Sequence, residues 1–226
     1  MGAGAQLYAV RKCGALLDDP DLCELAMTSL GAPRRGEPRD VILGAAGLLL
    51  VAANVFDASP AILEHVANQL RGPVASPREL FVDGTRWLAG LPCEREGIAW
   101  ALARWDAASG RTPVALPDDA SVLTRLACAD RTAVASVCAA EPRASLDDLV
   151  VALAARDLSA DPALTERARG IAAAIVARRH ASGRWLDDPY VAERYHLSAI
   201  SGLGALALSF ARIDAPELRC CARLVY

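Results

Sequence analysis

The sequence predicts an all-α protein, and three features support this fold class. Hydrophobic residues make up 54% of the chain but aromatic residues only 5%, since alanine and leucine, both strong helix formers, fill most apolar positions. No segment shows the alternation of apolar and polar residues that is typical of strands. Short clusters of turn-forming residues divide the 226 residues into segments of helical length. We therefore expect a single domain, residues 1–226, built only from helices.

The turn clusters predict where the helices begin and end. In chain order they are GAPRRGEP (31–38), DASP (57–60), GPVASP (72–77), SGRTP (109–113), EPRAS (141–145) and SADP (159–162). Side chains that cap helices well precede proline at Ser59, Ser76 and Asp161, and Ser145 precedes the segment LDDL. These residues predict helices that start at positions 60, 77, 146 and 162.

A repeated phrase predicts how the helices are arranged. The segments GAQLYAV, GLLLVAA, GIAWALA and GALALSF each place a glycine before a small, apolar helix, at Gly4, Gly47, Gly97 and Gly204. Amphipathic segments such as 60–71 and 162–179 lie between them. A buried helix that alternates with an amphipathic one is the pattern of an α/α toroid, a double-layered helical barrel. In such a barrel the starts of the inner helices converge on one mouth, where we expect a ligand to bind.

Charge, cysteine usage and hydropathy exclude several classes of protein. The formal net charge is −3, so we expect no basic surface for nucleic acid. The seven cysteines form no CxxC pair, and none lies at zinc spacing from a histidine. The opening residues lack the pattern of a signal peptide, and the longest apolar run, residues 41–56, is short for a membrane helix. We expect a soluble, cytoplasmic protein with reduced thiols and no contact with membranes.

Four segments carry a resemblance to a known family. They are GAGAQLYAVRKCGALLDDPDL (2–22), RDVILGAAGLLLVA (39–52), GLPCEREGIAWALARW (90–105) and YHLSAISGLGALALSFARIDAPELRCCARLVY (195–226). The chain resembles the lanthionine synthetase C-like (LanC-like) cyclases, most closely the C-terminal cyclase domain of class II lanthipeptide synthetases. This resemblance implies an α/α toroid over the whole chain. The family's domain is nearly twice as long, so we expect its N-terminal helices to be missing and the toroid to be incomplete.

The resemblance also implies a reaction, although this chain departs from the family at the metal ligands. LanC-like cyclases bind one zinc ion through Cys and Cys-His motifs, and the zinc activates a substrate cysteine to add to a dehydroalanine or dehydrobutyrine. Here Ala115 and Leu116 stand at the first Cys-His position, and Asp147 and Asp148 stand at the second. Carboxylates alone make a poor zinc site. We therefore expect no metal and no cofactor.

The residues expected at the mouth are the candidates for chemistry. Cys93 stands at the position of a histidine thought to move a proton in the family, and a helix N-terminus lowers a thiol pKa. A histidine titrates near neutral pH, and paired carboxylates can share a proton. The candidate catalytic residues are Cys93, Asp118, Asp119, Asp147, Asp148 and His196, and the candidate substrate-binding residues are Glu94, Glu96, Arg194 and Tyr195.

Each candidate also has a purely structural interpretation. Both aspartate pairs follow a helix-capping pattern. Glutamates in the first turn of a helix are favoured by its dipole, and Glu94 and Glu96 would oppose formation of a thiolate at Cys93. A histidine at a helix start commonly caps the helix or packs in the core. The sequence alone leaves these alternatives open.

Three functions are compatible with these residues. The first is a zinc-independent LanC-like protein of lanthipeptide-type maturation, which promotes ring formation by adding a Cys thiol to a dehydro residue. The second is an inactive pseudo-cyclase that binds the precursor peptide and scaffolds a partner enzyme. The third is a terpene-cyclase-like enzyme, since VALPDDAS and SGRWLDDPY are similar to Asp-rich motifs of that class, but the low aromatic content argues against it. The expected partners are a precursor peptide and either a second copy of the chain or a kinase, lyase or dehydratase.

Overall fold

The computed structural model describes residues 3–28, 38–41, 44–55, 60–73, 94–185 and 203–218. These residues contain ten α-helices and no strand, which confirms the all-α prediction. The helices are α1 (Ala3–Leu17), α2 (Pro20–Thr28), α3 (Ala45–Val55), α4 (Pro60–Arg71), α5 (Glu94–Ala108), α6 (Val122–Ala127), α7 (Thr132–Ala139), α8 (Leu146–Ser159), α9 (Pro162–Ser182) and α10 (Leu203–Asp214). Within the described part of the chain, none of them has the length and apolar character needed to cross a membrane.

The chain divides into two compact units, each with its own helices. The first unit contains α1 to α5, and the second contains α6 to α10. A single domain over residues 1–226 and a toroidal arrangement stay predictions from the sequence.

Helix α3 is the central helix of the first unit and contacts α1, α4 and α5. Its buried residues include Ala46, Leu49 and Leu50, each fully shielded from solvent. Trp100 and Ala101 of α5 are equally buried. The two phrases read as buried helices, at Gly47 and Gly97, are therefore core helices of this unit, as the sequence predicts.

Helix α4 is amphipathic, as its sequence predicts. Its buried residues Leu63, Val66, Ala67 and Leu70 recur at the spacing of one helical face, while His65 is exposed. Each fully buried leucine or valine contributes roughly 1.5–3 kcal/mol through removal of apolar surface from water. This face is what fixes α4 against α3 and α5.

The start of α3 depends on two glycines. The backbone oxygens of Pro38, Arg39 and Asp40 accept hydrogen bonds from the amides of residues 44–47, at 3.1–3.3 Å. A Cβ atom at Gly47 would lie 2.0 Å from the oxygen of Val41, and one at Gly44 would lie 2.3 Å from the oxygen of Pro38. The close approach of two backbone segments explains why the phrase LGAAG requires glycine at both positions.

Helix α8 is the central helix of the second unit and contacts α6, α7, α9 and α10. Leu149 and Leu153 of α8 pack with Ala168 and Ile175 of α9 and with Leu206 of α10. A second cluster joins α8 to α6, α7 and the start of α9, and it includes Ala155 and Leu164. The second unit therefore has two apolar clusters that share helix α8, and the first turn of that helix carries two of the candidate residues.

Candidate functional site

Asp147 and Asp148 lie in the first turn of α8, where the sequence places them. The helix begins here because Ser145 adopts an extended backbone and its hydroxyl accepts the amide N–H of Asp148 at 3.1 Å. This is the N-cap that the sequence predicts. Two negative charges in the first turn also interact favourably with the helix dipole. The capping interpretation therefore accounts for the location of the pair, while the carboxyl groups themselves differ in their contacts.

The carboxylate of Asp148 is held by Arg143. The backbone N–H of Arg143 donates to Oδ2 at 2.7 Å, and its guanidinium donates to Oδ1 at 3.0 Å. Desolvation opposes ionisation of Asp148, but the hydrogen bonds and the charge of Arg143 and the Ser145 hydroxyl outweigh it and lower the pKa of Asp148. Asp148 is therefore a structural anion at neutral pH.

The carboxyl group of Asp147 differs from that of Asp148 in its hydrogen bonds and in the direction of its pKa shift. Asp147 is solvent-exposed, and no residue within the described ranges donates a hydrogen bond to its carboxylate. Partial desolvation and the negative charge of Asp148 raise the pKa of Asp147 above its ordinary value. A carboxyl group that is accessible, unengaged and more basic than usual is suited to accept and return a proton.

Asp118 and Asp119 lie in a surface turn and not at a helix cap. Both are exposed, and the turn is closed by a 2.9 Å hydrogen bond from the amide of Ala120 to the oxygen of Pro117. The N-cap of α6 is Ser121, whose hydroxyl accepts the amide of Thr124. The capping interpretation of Asp118 and Asp119 is therefore wrong, because α6 begins too late for either side chain to reach its first amides.

The remaining candidates are only partly covered by the described residues. Cys93, Arg194, Tyr195 and His196 lie outside them. Glu94 is the first residue of α5, and Glu96 is half-buried in the first turn of that helix. The structure thus brings Asp147 and Asp148 together in the second unit, whereas Asp118 and Asp119 belong to the first.

The positions that the resemblance aligns with the zinc ligands of LanC-like cyclases do not fit that ion. Ala115 is exposed, Leu116 is half-buried, and neither offers a coordinating side-chain atom. Asp148 is engaged by Arg143 and Asp147 alone provides a hard oxygen donor, which suits zinc poorly. Across the ranges that the structure describes, no three His, Cys, Asp or Glu side chains form a group that could hold a metal ion.

Arg143 is the residue at this site that sequence reasoning missed. A cation directly before a helix N-terminus is disfavoured by the helix dipole, so no capping rule predicts it. The sequence does offer one signal for this contact. The carboxylate of Asp148 comes five residues after Arg143, in the first turn of α8, where a long arginine side chain can contact it. This signal identifies a partner for Asp148 and leaves Asp147 as the accessible acid.

Comparison of the chain with protein-family models, with curated proteins and with solved structures gave no match. The resemblance to LanC-like cyclases therefore depends on the four sequence segments described above. The function must be argued from the residues themselves.

Proposed function

We propose that this chain is a LanC-like protein of ribosomal peptide maturation that promotes thioether ring formation without a bound metal. Its substrate is a dehydrated precursor peptide of the lanthipeptide type, and its helices form an α/α toroid. We further propose a cytoplasmic location, because Cys13, Cys23 and Cys138, which lie in the described part of the chain, form no disulfide and reduced thiols are typical of that compartment.

The observation that carries this proposal is that Asp147 is exposed and has a raised pKa. The resemblance aligns it with the second zinc-ligand motif of the family, next to the reacting thiol. A zinc ion lowers the pKa of a thiol, and a base within reach can replace that effect because an ordinary cysteine thiol has a pKa of about 8.5. Asp147 is exposed and its pKa is raised, whereas the carboxylate of Asp148 is held by Arg143.

The proposed reaction is a proton-balanced addition. The carboxylate of Asp147 accepts the proton of the substrate thiol, and the sulfur forms a bond to the β-carbon of the dehydro residue. The carbon–carbon double bond opens and leaves negative charge on the α-carbon and its carbonyl. The protonated Asp147 then returns the proton to the α-carbon, so no atom is gained or lost. Holding the two ends of the peptide in contact supplies much of the rate enhancement.

A thiol-alkylation assay tests this function. A dehydrated precursor peptide with one free cysteine is incubated with the protein in the presence of a chelator, and a second sample contains no protein. Ring formation leaves the peptide mass unchanged but removes the thiol that an alkylating reagent can modify. We expect the thiol to disappear faster with the protein than without it. Equal rates in the two samples would contradict the proposed activity.

The pseudo-cyclase is the alternative function, and exposed leucines favour it. Leu16 and Leu17 at the end of α1 are 84% and 70% exposed, and Leu25 of α2 is also exposed. Large apolar side chains in this state commonly mark a surface that a partner protein covers. In the assay above, a peptide that binds to the protein but keeps its alkylatable thiol would support the pseudo-cyclase, with the catalyst supplied by a partner enzyme.

A further inference from the structure

The chain leaves α5 through a segment that is exposed to solvent. Residues 107–115 are all exposed, and the chain forms no helix, strand or turn from Thr112 to Pro117. Within the described ranges, no backbone group from Thr112 to Leu116 takes part in a hydrogen bond. Thr112 and Leu116 each precede a proline, and a residue before proline favours an extended backbone. Residues 112–116 therefore offer an accessible, extended length of main chain.

A cluster of contacts fixes where this segment begins. Both terminal nitrogens of the Arg111 guanidinium donate hydrogen bonds to the carboxylate of Glu64. The amide of Arg111 donates to the backbone oxygen of Asp106 at 2.8 Å, and its guanidinium lies over the ring of Trp105. The chain up to Arg111 is therefore fastened to α4 and α5, whereas residues 112–116 form no hydrogen bond or ion pair with any described residue.

The segment also lies close, along the chain, to the boundary between the two compact units. Pro92–Ala120 belongs to the first unit, and Ser121–Leu224 belongs to the second. Each unit has its own buried core, around α3 in the first and around α8 in the second. A cut within residues 112–116 would leave α1 to α5 on one side and α6 to α10 on the other. It would therefore break no described helix and divide neither core.

We propose that residues 112–116 form a processing site, at which a protease with a small S1 pocket cuts the folded chain after Val114. Such a pocket accepts a small apolar side chain, and Val114 presents one, since it is 39% exposed. Exposed segments are preferred sites of proteolytic nicking, and an extended peptide can pair with a strand of its partner. Hydrolysis adds one water: its hydroxyl joins the carbonyl carbon of Val114, and its other hydrogen goes to the nitrogen of Ala115.

The neighbouring residues disfavour two other protease specificities. A trypsin-like enzyme requires a basic side chain in its S1 pocket, and the side chain of Arg111 is already bound to Glu64. A chymotrypsin-like enzyme would cut after Leu116, but the next residue is Pro117. Proline has no amide N–H and a fixed φ, so the bond before it fits such an enzyme poorly. These contacts favour a protease that selects Val114.

Limited digestion of the full chain with elastase tests this site, because the chain contains a matched bond. Val176 and Ala177 form the same dipeptide as Val114 and Ala115 but lie within α9. Mass spectrometry gives the rate of cutting at each bond, relative to the rate in a synthetic peptide of the same local sequence. We expect the relative rate to be about 100-fold higher at Val114 than at Val176, because a helical bond must open before a protease can bind it.

Two substitutions at Ala115 show whether the cut depends on this segment. Ala115 is exposed, so neither change disturbs a core. Ala115→Pro should abolish cutting after Val114, because proline would then follow the bond. Ala115→Ser is the matched control and should leave the cutting rate unchanged. Circular dichroism of the cut protein should retain the helical signal of the uncut protein, since the cut divides neither core.

Two results would overturn the proposal. Equal relative rates at Val114 and Val176 would show that the segment is no more accessible to a protease than a helix is. A helical signal that falls in step with cutting would show that the cut unfolds the chain, so the segment would not be a processing site.

Discussion

At the scale of single residues, the most buried charges of the second unit form one shared ion cluster. Asp157 accepts hydrogen bonds from Arg156 at 2.8 and 3.2 Å and from Arg212, and the side chain of Arg212 is only 3% exposed. Arg156 also donates to the backbone oxygens of Arg212 and Ile213. The cluster therefore combines two cations and one anion with the negative ends of α8 and α10, each equivalent to roughly half a charge.

Because the carboxylate of Asp157 pairs with both arginines of the cluster, we expect its removal to lower the stability of the fold strongly. Asp157→Asn removes the carboxylate that pairs with two buried guanidinium groups in the described part of the chain, so we expect the free energy of unfolding to fall by about 3 kcal/mol. Asp214→Asn is the matched control, because Asp214 is exposed and pairs with exposed Arg169, and exposed pairs contribute less than about 1 kcal/mol. Urea denaturation of both variants measures the difference. Equal losses would show that Asp157 is not the counter-ion of the cluster.

A second cluster lies on the surface of the first unit and centres on Glu64. Its carboxylate accepts hydrogen bonds from both terminal nitrogens of Arg111 and from the indole N–H of Trp105 at 3.2 Å. The guanidinium of Arg111 also lies 5.9 Å from the centre of the Trp105 ring. The hydrogen bonds from Arg111, followed by that from Trp105 and the nearby positive charges, hold the pKa of Glu64 at about 2, against an ordinary value of 4.5.

The lowered pKa of Glu64 predicts a pH dependence of stability. The contribution of ionised Glu64 is fully present above its unfolded pKa of 4.5 and is lost as pH falls through the folded value of about 2. We expect Glu64→Gln to be less stable than wild type above pH 4.5, with the difference shrinking towards pH 2. Denaturant unfolding measured across this range tests the prediction. A constant difference between the two proteins would contradict it.

At the scale of helices, the sequence predicted the side chains that cap the starts of α8 and α9, but not the side chain that binds the carbonyls at the end of α4. Ser145 and Asp161 cap α8 and α9 as the sequence predicts, because a capping side chain acts within three residues of its own position. The C-terminal carbonyls of α4 are instead bound by Arg39, about thirty residues earlier, at 2.8–3.0 Å for Pro73, Gln69 and Gly72. Such contacts depend on the packing of distant segments, which no local pattern encodes.

The end of α8 offers a test at this scale. Its C-cap is Ala160, which adopts a left-handed backbone with φ of 54°, a conformation that costs a residue with a Cβ atom about 1–2 kcal/mol. We expect Ala160→Gly to stabilise the protein by about 0.5–1 kcal/mol, since glycine relieves the strain but loses more chain entropy on folding. Thermal unfolding measures this shift.

Ala173→Gly is the matched control for that variant. Ala173 is exposed within α9, where glycine is unfavourable by about 1 kcal/mol. The two substitutions are chemically identical and should change the melting temperature in opposite directions. A loss of stability in both would show that the backbone at Ala160 is not strained.

At the scale of the whole molecule, the sequence predicted the fold class and many elements. The bounds of α4 match the predicted amphipathic segment 60–71, and the turn clusters at 109–113 and 141–145 interrupt helices as expected. These features follow from local propensity and spacing. The division into two compact units was not foreseen, because helix-to-helix packing depends on side-chain fit between segments far apart in the chain.

The sequence predicted where the residues of the candidate site lie along the chain, but not which contacts their side chains make. The sequence placed Asp147 and Asp148 at the start of a helix, which the structure confirms. It could not distinguish their roles, since the difference between them comes from the contact of Asp148 with Arg143. Desolvation is the largest cause of the raised pKa of Asp147, and the charge of Asp148 adds to it, whereas the charge of Arg143 lowers it.

The stability of a variant at Asp147 can be separated from its activity. Because partial desolvation and the charge of Asp148 raise the pKa of Asp147, its ionisation opposes folding as pH rises through that pKa. Asp147→Asn removes this opposition, so we expect the variant to be at least as stable as wild type at pH 7. Urea denaturation at that pH checks the expectation, and a marked loss of stability would contradict it.

The most direct test of the proposed function is the rate of thiol loss with Asp147→Asn in the presence of a chelator, compared with Asp214→Asn. Removal of a general acid–base group typically lowers a rate by about 100-fold or more. We expect the peptide thiol to disappear about 100-fold more slowly with Asp147→Asn than with wild type, and at the wild-type rate with Asp214→Asn. Wild-type rates in a folded Asp147→Asn variant would contradict the assignment of proton transfer to this carboxyl group.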